Sequence, residues 1–220
     1  MLTAPAHSAV TVETDLSVLH RDDDLLVLSK PSGLLSVPGK DPALADCLES
    51  RARNAFPGAL LVHRLDRDTS GIMVMALNRK AQRHLGLQFE RRRIGKAYVA
   101  RVWGEVANMK GCVDAPIACD WPNRPKQMID RDNGRPALTE WEVMEREPGA
   151  TRVMLRPLTG RSHQLRVHML SLGHPVLGDN FYAHDEALRA AVRLQLHALE
   201  LTLRHPADGR FCTFRDPCPF

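Results

Sequence analysis

The segment most informative about the fold is residues 63–71, with the sequence His63-Arg64-Leu65-Asp66-Arg67-Asp68-Thr69-Ser70-Gly71. Apolar segments flank them at residues 59–62 and 72–77. Both segments are short and bounded by Gly or Asn, which predicts two buried strands. A polar turn between two core strands lies at the edge of a sheet, where functional sites are often found. From composition alone, Asp66 and Asp68 are either site carboxylates or ordinary turn residues.

The other strand patterns predict a sheet assembled mainly from hairpins. Residues 16–20 and 25–28 form one predicted hairpin, and residues 139–143 and 152–156 form a second around Pro148-Gly149. Further strands are predicted at 96–103, at 196–203 and, as an edge strand, at 211–214. Strands outnumber helices, so we expect an α+β fold with a mixed, mostly antiparallel sheet and helices packed on it.

The helix predictions depend on capping residues and on Gly or Pro stops. The predicted helices are one opened by Asp41-Pro42 and closed by Pro57-Gly58, one over 79–92 capped by Asn78, one capped by Ser162 and closed by Gly173, and one over 185–193.

Composition indicates a soluble globular protein. The chain has 220 residues, 44% of them hydrophobic and 25% charged, which suits one domain at 16–220 after a loose tail at 1–15. No apolar run approaches about 18 residues, so no membrane span is predicted. The N-terminus lacks the pattern of a signal peptide, and the five cysteines form no C-x-x-C pair. These features predict a cytoplasmic protein with reduced thiols.

Positive charge is concentrated in one segment. The net charge is only +4, but residues 79–103 hold eight basic residues and one acidic residue. Such a segment is either a nucleic-acid contact or a solvated helix face. Arg91, Arg92 and Arg93 are its densest part and are candidate phosphate contacts.

Four segments in order resemble the motifs of the RluA-type pseudouridine synthases. His63-Arg64-Leu65-Asp66 with Thr69-Ser70-Gly71 resembles the catalytic motif. The other matches are Lys30-Pro31-Ser32-Gly33, Lys96-Ala97-Tyr98-Val99-Ala100 and Thr159-Gly160-Arg161-Ser162-His163-Gln164-Leu165-Arg166. Residues 119–127 resemble the dual-specificity branch of the family. The resemblance runs from Leu16 to the C-terminus, with Ser29 standing where the family usually has Asn.

The resemblance implies a pseudouridine synthase fold of two sheet-bearing halves with an RNA cleft between them. It implies an isomerase that converts uridine to pseudouridine without a metal or other cofactor. For the dual-specificity branch, the implied partners are short stem-loops, namely a loop of 23S rRNA and the tRNA anticodon arm. The chain shows no obvious S4-like domain, which suits small stem-loops. We expect a monomer that does not associate with membranes.

The resemblance also implies roles for individual residues. Asp66 is the nucleophile, or the base that starts glycosidic cleavage. Burial raises the pKa of a carboxyl group, so a fixed cation is required, and Arg166 is the matching candidate. Tyr98 stacks on the uracil and brings its hydroxyl near C5. The remaining roles are extrusion of the uridine by Arg64, phosphate contact by Arg161, Lys30 and the arginines at 91–93, and ordering of the turn by His63.

Two alternatives remain at this point. Asp66 and Asp68 could be the carboxylate pair of a glycosidase or nuclease. The chain could also be an RNA-binding module without catalysis, although binding alone has no need of a carboxylate that repels phosphate. A metal site is not predicted, because His163 and His168 are five residues apart and do not share a helix face as i, i+4 ligands do.

Overall fold

The computed structural model describes residues 16–220, and the predicted tail at 1–15 lies outside this range. Within it the chain forms twelve strands and four α-helices. The elements are β1 (Ser17–Arg21), β2 (Leu25–Lys30), α1 (Leu48–Ala55), β3 (Leu60–Leu61), β4 (Ser70–Ala76), α2 (Arg79–Glu90), β5 (Gly95–Trp103), β6 (Lys110–Asp114), β7 (Ile117–Cys119), β8 (Gln127–Ile129), β9 (Leu138–Glu147), β10 (Ala150–Pro157), α3 (Gln164–Ser171), α4 (Asp185–Arg189), β11 (Leu196–Arg204) and β12 (Phe211–Arg215).

Ten of these strands form one sheet. Its main order is β1-β2-β4-β11-β5-β10-β9-β6, with β12 beside β11 and β3 beside β4, while β7 and β8 pair separately. Only β4 and β11 pair in parallel among the named strands of residues 16–220. The predicted mixed, mostly antiparallel sheet and both predicted hairpins are therefore confirmed. The strand expected at 59–62 is reduced to the two residues of β3.

The parallel contact between β4 and β11 depends on Gly71. Gly71 pairs with Ala198 and has a φ of 113°. A Cβ at this position would lie 2.3 Å from the Ala198 carbonyl oxygen. Only glycine tolerates both the dihedral and the close approach. The end of the 63–71 turn is thereby held against the centre of the sheet.

The core consists of two main apolar clusters on one continuous sheet. The first surrounds β2, β4 and α2, and the second surrounds β5, β10 and α3. Tyr98 on β5 packs against both clusters. The two apolar clusters are therefore in contact with the same side chain.

The predicted helix after Asp41 is instead two separate elements. Asp41 caps a 3-10 helix over Pro42–Leu44, and α1 starts afresh with Cys47 as its N-cap. Cys47 is extended and bridges to Leu35, which interrupts the helix. The prediction was wrong because a tertiary backbone contact overrides the local capping signal.

The other helices agree with the prediction apart from their ends. The helix α2 has the predicted Asn78 cap. The N-cap of α3 is His163 rather than Ser162. The helix α4 ends at Arg189, because the chain then returns to pair Gln195 with Leu177 at the start of β11. No helix within residues 16–220 is long and apolar enough to cross a membrane.

Candidate active site

A cleft of about 360 Å³ opens where the 63–71 turn, β5 and the start of α3 meet. It brings together residues from three distant parts of the sequence. The predicted site residues that line it are Arg64, Asp66, Tyr98, Arg161 and Arg166. The predicted residues Lys30 and Arg91–Arg93 do not line it.

The turn that carries Asp66 is held by the loop following β2. Ser36 Oγ donates to the Leu65 carbonyl at 2.7 Å and accepts from the Leu65 N–H at 3.1 Å. Ser32 Oγ donates to the Asp68 carbonyl at 2.7 Å. These contacts bracket Asp66 on both sides, so they fix the turn without using its carboxylate.

Lys30 supports the same turn from the interior, and its predicted phosphate contact is contradicted. Its side chain is fully buried, and Nζ donates to the carbonyls of Pro31, Leu34 and Arg67 at 2.7–2.9 Å. All three ammonium donors are thereby used. Burial lowers the pKa of Lys30 to about 8, although the charges of Asp68 and Asp66 oppose the shift. Lys30 is a structural cation beneath the site.

The Asp66 carboxylate faces the cleft. Its side chain is 26% exposed, and Oδ2 lies 3.7 Å from Arg166 Nη1 and 4.0 Å from His163 Nε2. The predicted proximity of Asp66 and Arg166 is therefore present, although the two groups are separated by more than a hydrogen-bond length. The carboxylate has a nearby cation and remains accessible.

Arg166 makes its closest ion pair with Asp179, a residue that sequence reasoning missed. Arg166 Nε and Nη2 donate to the two oxygens of Asp179 at 2.7 and 2.6 Å. The side chains of Arg166 and Asp179 are 2% and 0% exposed. Burial disfavours the guanidinium, but the hydrogen bonds and charge of Asp179 raise the pKa of Arg166. This two-point contact fixes the plane of the guanidinium and leaves Nη1 for Asp66.

Asp179 also organises an aromatic wall beside the guanidinium. Its Oδ1 accepts the backbone N–H groups of Phe181 and Tyr182 at 2.9 and 3.1 Å. Both rings lie 5.1 Å from the Arg166 guanidinium carbon. An Asp side chain that accepts backbone N–H groups two and three residues later is a common turn arrangement, so the local pattern contains only a weak signal for this role of Asp179.

His163 is a second residue whose position was not foreseen. It has a φ of 54°, and its Nδ1 lies 2.7 Å from the Tyr182 hydroxyl, which also accepts the Gln127 N–H at 2.8 Å. Burial lowers the pKa of His163, and the charge of Asp66 opposes this. A neutral imidazole is therefore favoured beside the carboxylate. No group of three or more candidate metal ligands occurs in residues 16–220.

Tyr98 reaches the cleft from β5. Its hydroxyl has no hydrogen-bond partner in the part of the chain that the structure describes, so it is free to meet a ligand. Burial and the negative charge of Asp66 both raise the pKa of Tyr98 well above its usual value. The phenol is consequently protonated near neutral pH and presents a hydrogen-bond donor to the cleft.

His63 has a structural position, in agreement with its predicted role in ordering the turn. Its Nε2 accepts the Val74 N–H at 3.0 Å, and its ring stacks on Phe89 at 4.5 Å. Burial and the charge of Lys96 lower the pKa of His63 to about 3. The ring is therefore neutral and already used as an acceptor.

Basic side chains surround the mouth of the cleft. Arg64 is exposed, and Arg161 is anchored through Nε to the Pro136 carbonyl at 3.1 Å. Lys96, which sequence reasoning did not single out, also lines the cleft. The residues 91–93 are exposed on the turn between α2 and β5. Their contact with RNA remains a prediction.

Comparison with known proteins places the chain in a class. A sequence model of the family described as RNA pseudouridylate synthase matches residues 24–171. The chain belongs to this family and is an RNA pseudouridine synthase, an isomerase. Family membership decides against both the hydrolase and the non-catalytic alternatives.

Two curated relatives align with nearly the whole chain. The chain is 54% identical over 206 residues to the dual-specificity RNA pseudouridine synthase RluA of Salmonella typhi, covering 93% of this chain and 94% of the relative. It is 49% identical to the protein of the same name from Haemophilus influenzae, covering 95% and 96%.

Solved structures confirm the predicted fold. The human RNA pseudouridylate synthase domain containing 1 matches with a TM-score of 0.78 at 33% identity, covering 94% of this chain and 84% of that one. The human RNA pseudouridylate synthase domain containing 4 matches with a TM-score of 0.73 at 27% identity, covering 92% and 88%.

Proposed function

We propose that this synthase modifies uridines in two RNA classes, a stem-loop of 23S rRNA and the tRNA anticodon stem-loop. The names of the relatives that align over nearly the whole chain support dual specificity. The observation that carries the catalytic proposal is the meeting of Asp66, Tyr98 and Arg166 at one cleft. A cleft of about 360 Å³ suits one extruded nucleotide rather than a stacked duplex.

Asp66 starts the reaction at the glycosidic bond. Its partly exposed carboxylate either attacks the uracil or sugar as a nucleophile or removes a proton as a base; both routes release uracil N1 from ribose C1′. Arg166 Nη1, 3.7 Å away, stabilises the carboxylate and directs it into the cleft. Since Asp179 holds the guanidinium, this orientation exists before RNA binds.

Tyr98 acts on the detached ring. The aromatic face of Tyr98 supports the uracil while the uracil turns to present C5 to ribose C1′. Once the C5–C1′ bond has formed, the C5 proton must leave as N1 gains one. Because the raised pKa keeps the phenol protonated in the free enzyme, we infer that the hydroxyl relays this proton through a hydrogen bond rather than acting as a preformed phenolate.

The exposed cations bind the RNA around the target. Arg64 enters the space left by the extruded uridine, and Arg161 with Arg91–Arg93 contacts phosphates. We further propose that residues 16–220 act as one catalytic domain in a cytoplasmic monomer, without metal or other cofactor.

Pseudouridine mapping of total RNA tests this assignment. In a strain lacking the gene, one 23S rRNA site and one anticodon-loop site should lose pseudouridine. The wild-type gene should restore both sites, and Asp66→Asn should restore neither. Asp68→Asn is the matched control, because Asp68 lies two residues away but does not line the cleft. Loss at only one RNA class would refute dual specificity, and loss at neither would refute the substrate assignment.

A further inference from the structure

A second depression, which we call the side pocket, adjoins the active-site cleft. It has a volume of about 550 Å³ and shares Lys96, Pro157 and Thr159 with the cleft. The two spaces therefore adjoin each other along these three residues. The side pocket is formed by the start of β5, the ends of β6 and β10, and the start of β9.

The inner surface of the side pocket is mainly apolar. Ile94 and Ala137 are buried in its wall, while Leu158 remains 44% exposed at its edge. An exposed leucine beside a concave apolar surface can cover the face of a flat ring. A nucleobase has such a face, whichever base it is.

The charged groups around the side pocket are largely unpaired. Asp114, Glu140 and Arg92 line it, and their side chains have no hydrogen bond or ion pair within residues 16–220. Arg156 also lines it, but it is 3.2 Å from Glu142, outside the pocket. The pocket therefore offers two free carboxylate acceptors and one free guanidinium to a ligand.

Lys96 stands at the junction of the two spaces. Its Nζ donates to the Thr159 carbonyl at 3.1 Å, which uses one of its three donors. Burial and the neighbouring charge of Arg92 lower the pKa of Lys96 to about 8. An anion between Lys96 and Arg92 would relieve this repulsion.

We propose that the side pocket binds the base of a nucleotide that adjoins the target uridine and that it selects a base bearing an amino group. The phosphate that links this nucleotide to the uridine then lies between Lys96 and Arg92. The exocyclic amine donates to Asp114 or Glu140, as amino groups of bases do to carboxylates. Uracil has no exocyclic amine, so it fits less well. This inference rests on the proposed stem-loop substrates.

Synthetic stem-loops of both RNA classes, tritiated at C5 of the target uridine alone, provide the test. In each, the 5′ or the 3′ neighbour is varied among the four bases, and kcat/KM is measured by tritium release. For the wild type, replacing an amino-bearing neighbour with uridine on one side should lower kcat/KM at least about fivefold. In the double variant Asp114→Ala/Glu140→Ala, the ratio of kcat/KM for the amino-bearing neighbour to kcat/KM for the uridine neighbour should fall to within about twofold.

Glu145→Ala is the matched control, because Glu145 is an exposed carboxylate on the same strand as Glu140 and lines neither space. It should keep the wild-type ratio. Equal kcat/KM for all four bases on both sides, or discrimination that survives in the double variant, would overturn the proposal. Absence of release by the wild type from both parent stem-loops would instead refute the substrate assignment, and the side-pocket proposal with it.

Discussion

Replacement of Arg166 with methionine should destabilise the fold chiefly through Asp179. The methionine fills part of the space but leaves a carboxylate with 0% side-chain exposure without its cation. Breaking a fully buried pair costs about 3–5 kcal/mol. Asp179 would keep its hydrogen bonds from the Phe181 and Tyr182 N–H groups, so we expect the lower end, about 3 kcal/mol.

The effect of the same change on Asp66 should be small. Asp66 is 26% exposed and 3.7 Å from the guanidinium, so its coupling to Arg166 should be about 1 kcal/mol or less. Two double-mutant cycles measured by urea denaturation separate these contacts. Arg166→Met with Asp179→Asn should recover part of the lost stability, whereas Arg166→Met with Asp66→Asn should be nearly additive.

Arg166→Lys should recover only part of the stability, because an ammonium cannot reproduce the planar two-point contact with Asp179. Stability curves with unchanged m-values would show that the variants remain folded. A larger coupling energy for the Asp66 cycle than for the Asp179 cycle would refute the reasoning, since it would make Asp66 the main partner of Arg166.

Four further outcomes are expected. Asp66→Asn should abolish tritium release while RNA affinity is kept or increased. Substantial residual turnover would refute the catalytic role of Asp66. Tyr98→Phe should abolish most product formation while RNA affinity changes by less than about threefold, a fraction of a kcal/mol. Full turnover by this variant would show that Tyr98 only stacks on the uracil. Changing Arg91–Arg93 to Gln should lower the log–log salt slope of RNA binding by about 0.7–0.9 per lost contact, and an unchanged slope would place them away from RNA. Burial opposes ionisation of Asp22, but four hydrogen bonds outweigh it and hold the pKa of Asp22 well below its usual range. The contribution of Asp22 to stability is therefore present above the ordinary carboxyl pKa and is lost as pH falls. Asp22→Asn should flatten the acid side of the stability–pH curve, and an unaltered curve would contradict this.

Sequence patterns predicted the elements whose conformation depends mainly on neighbouring residues. The hairpins, the Asn78 cap and the strand carrying Tyr98 follow from side-chain period and turn residues. The proximity of Asp66 and Arg166, one hundred residues apart, followed from motif resemblance and from the need of a buried carboxylate for a cation. The sequence could not reveal Asp179, because an Asp in a turn is common and its burial depends on the packing around it.

Two errors had the same physical origin. Lys30 was predicted to contact phosphate, yet the fold buries it, and its Nζ donates to three backbone carbonyls. The helix expected after Asp41 is divided because Cys47 is held against Leu35. In each case at least one contact comes from a backbone segment outside the local pattern, namely the Arg67 carbonyl for Lys30 and Leu35 for Cys47. The pattern around a residue contains no information about such a segment.

Two residues of the 63–71 turn, Asp66 and Gly71, meet separate physical requirements. In the proposed mechanism Asp66 serves the reaction, whereas Gly71 is required because a side chain there would strike the backbone at Ala198. A descendant of this protein that bound RNA but no longer modified it could replace Asp66 freely and would still have to keep Gly71. Among divergent sequences, the glycine is therefore a marker of the fold, and only the aspartate is a marker of the enzyme.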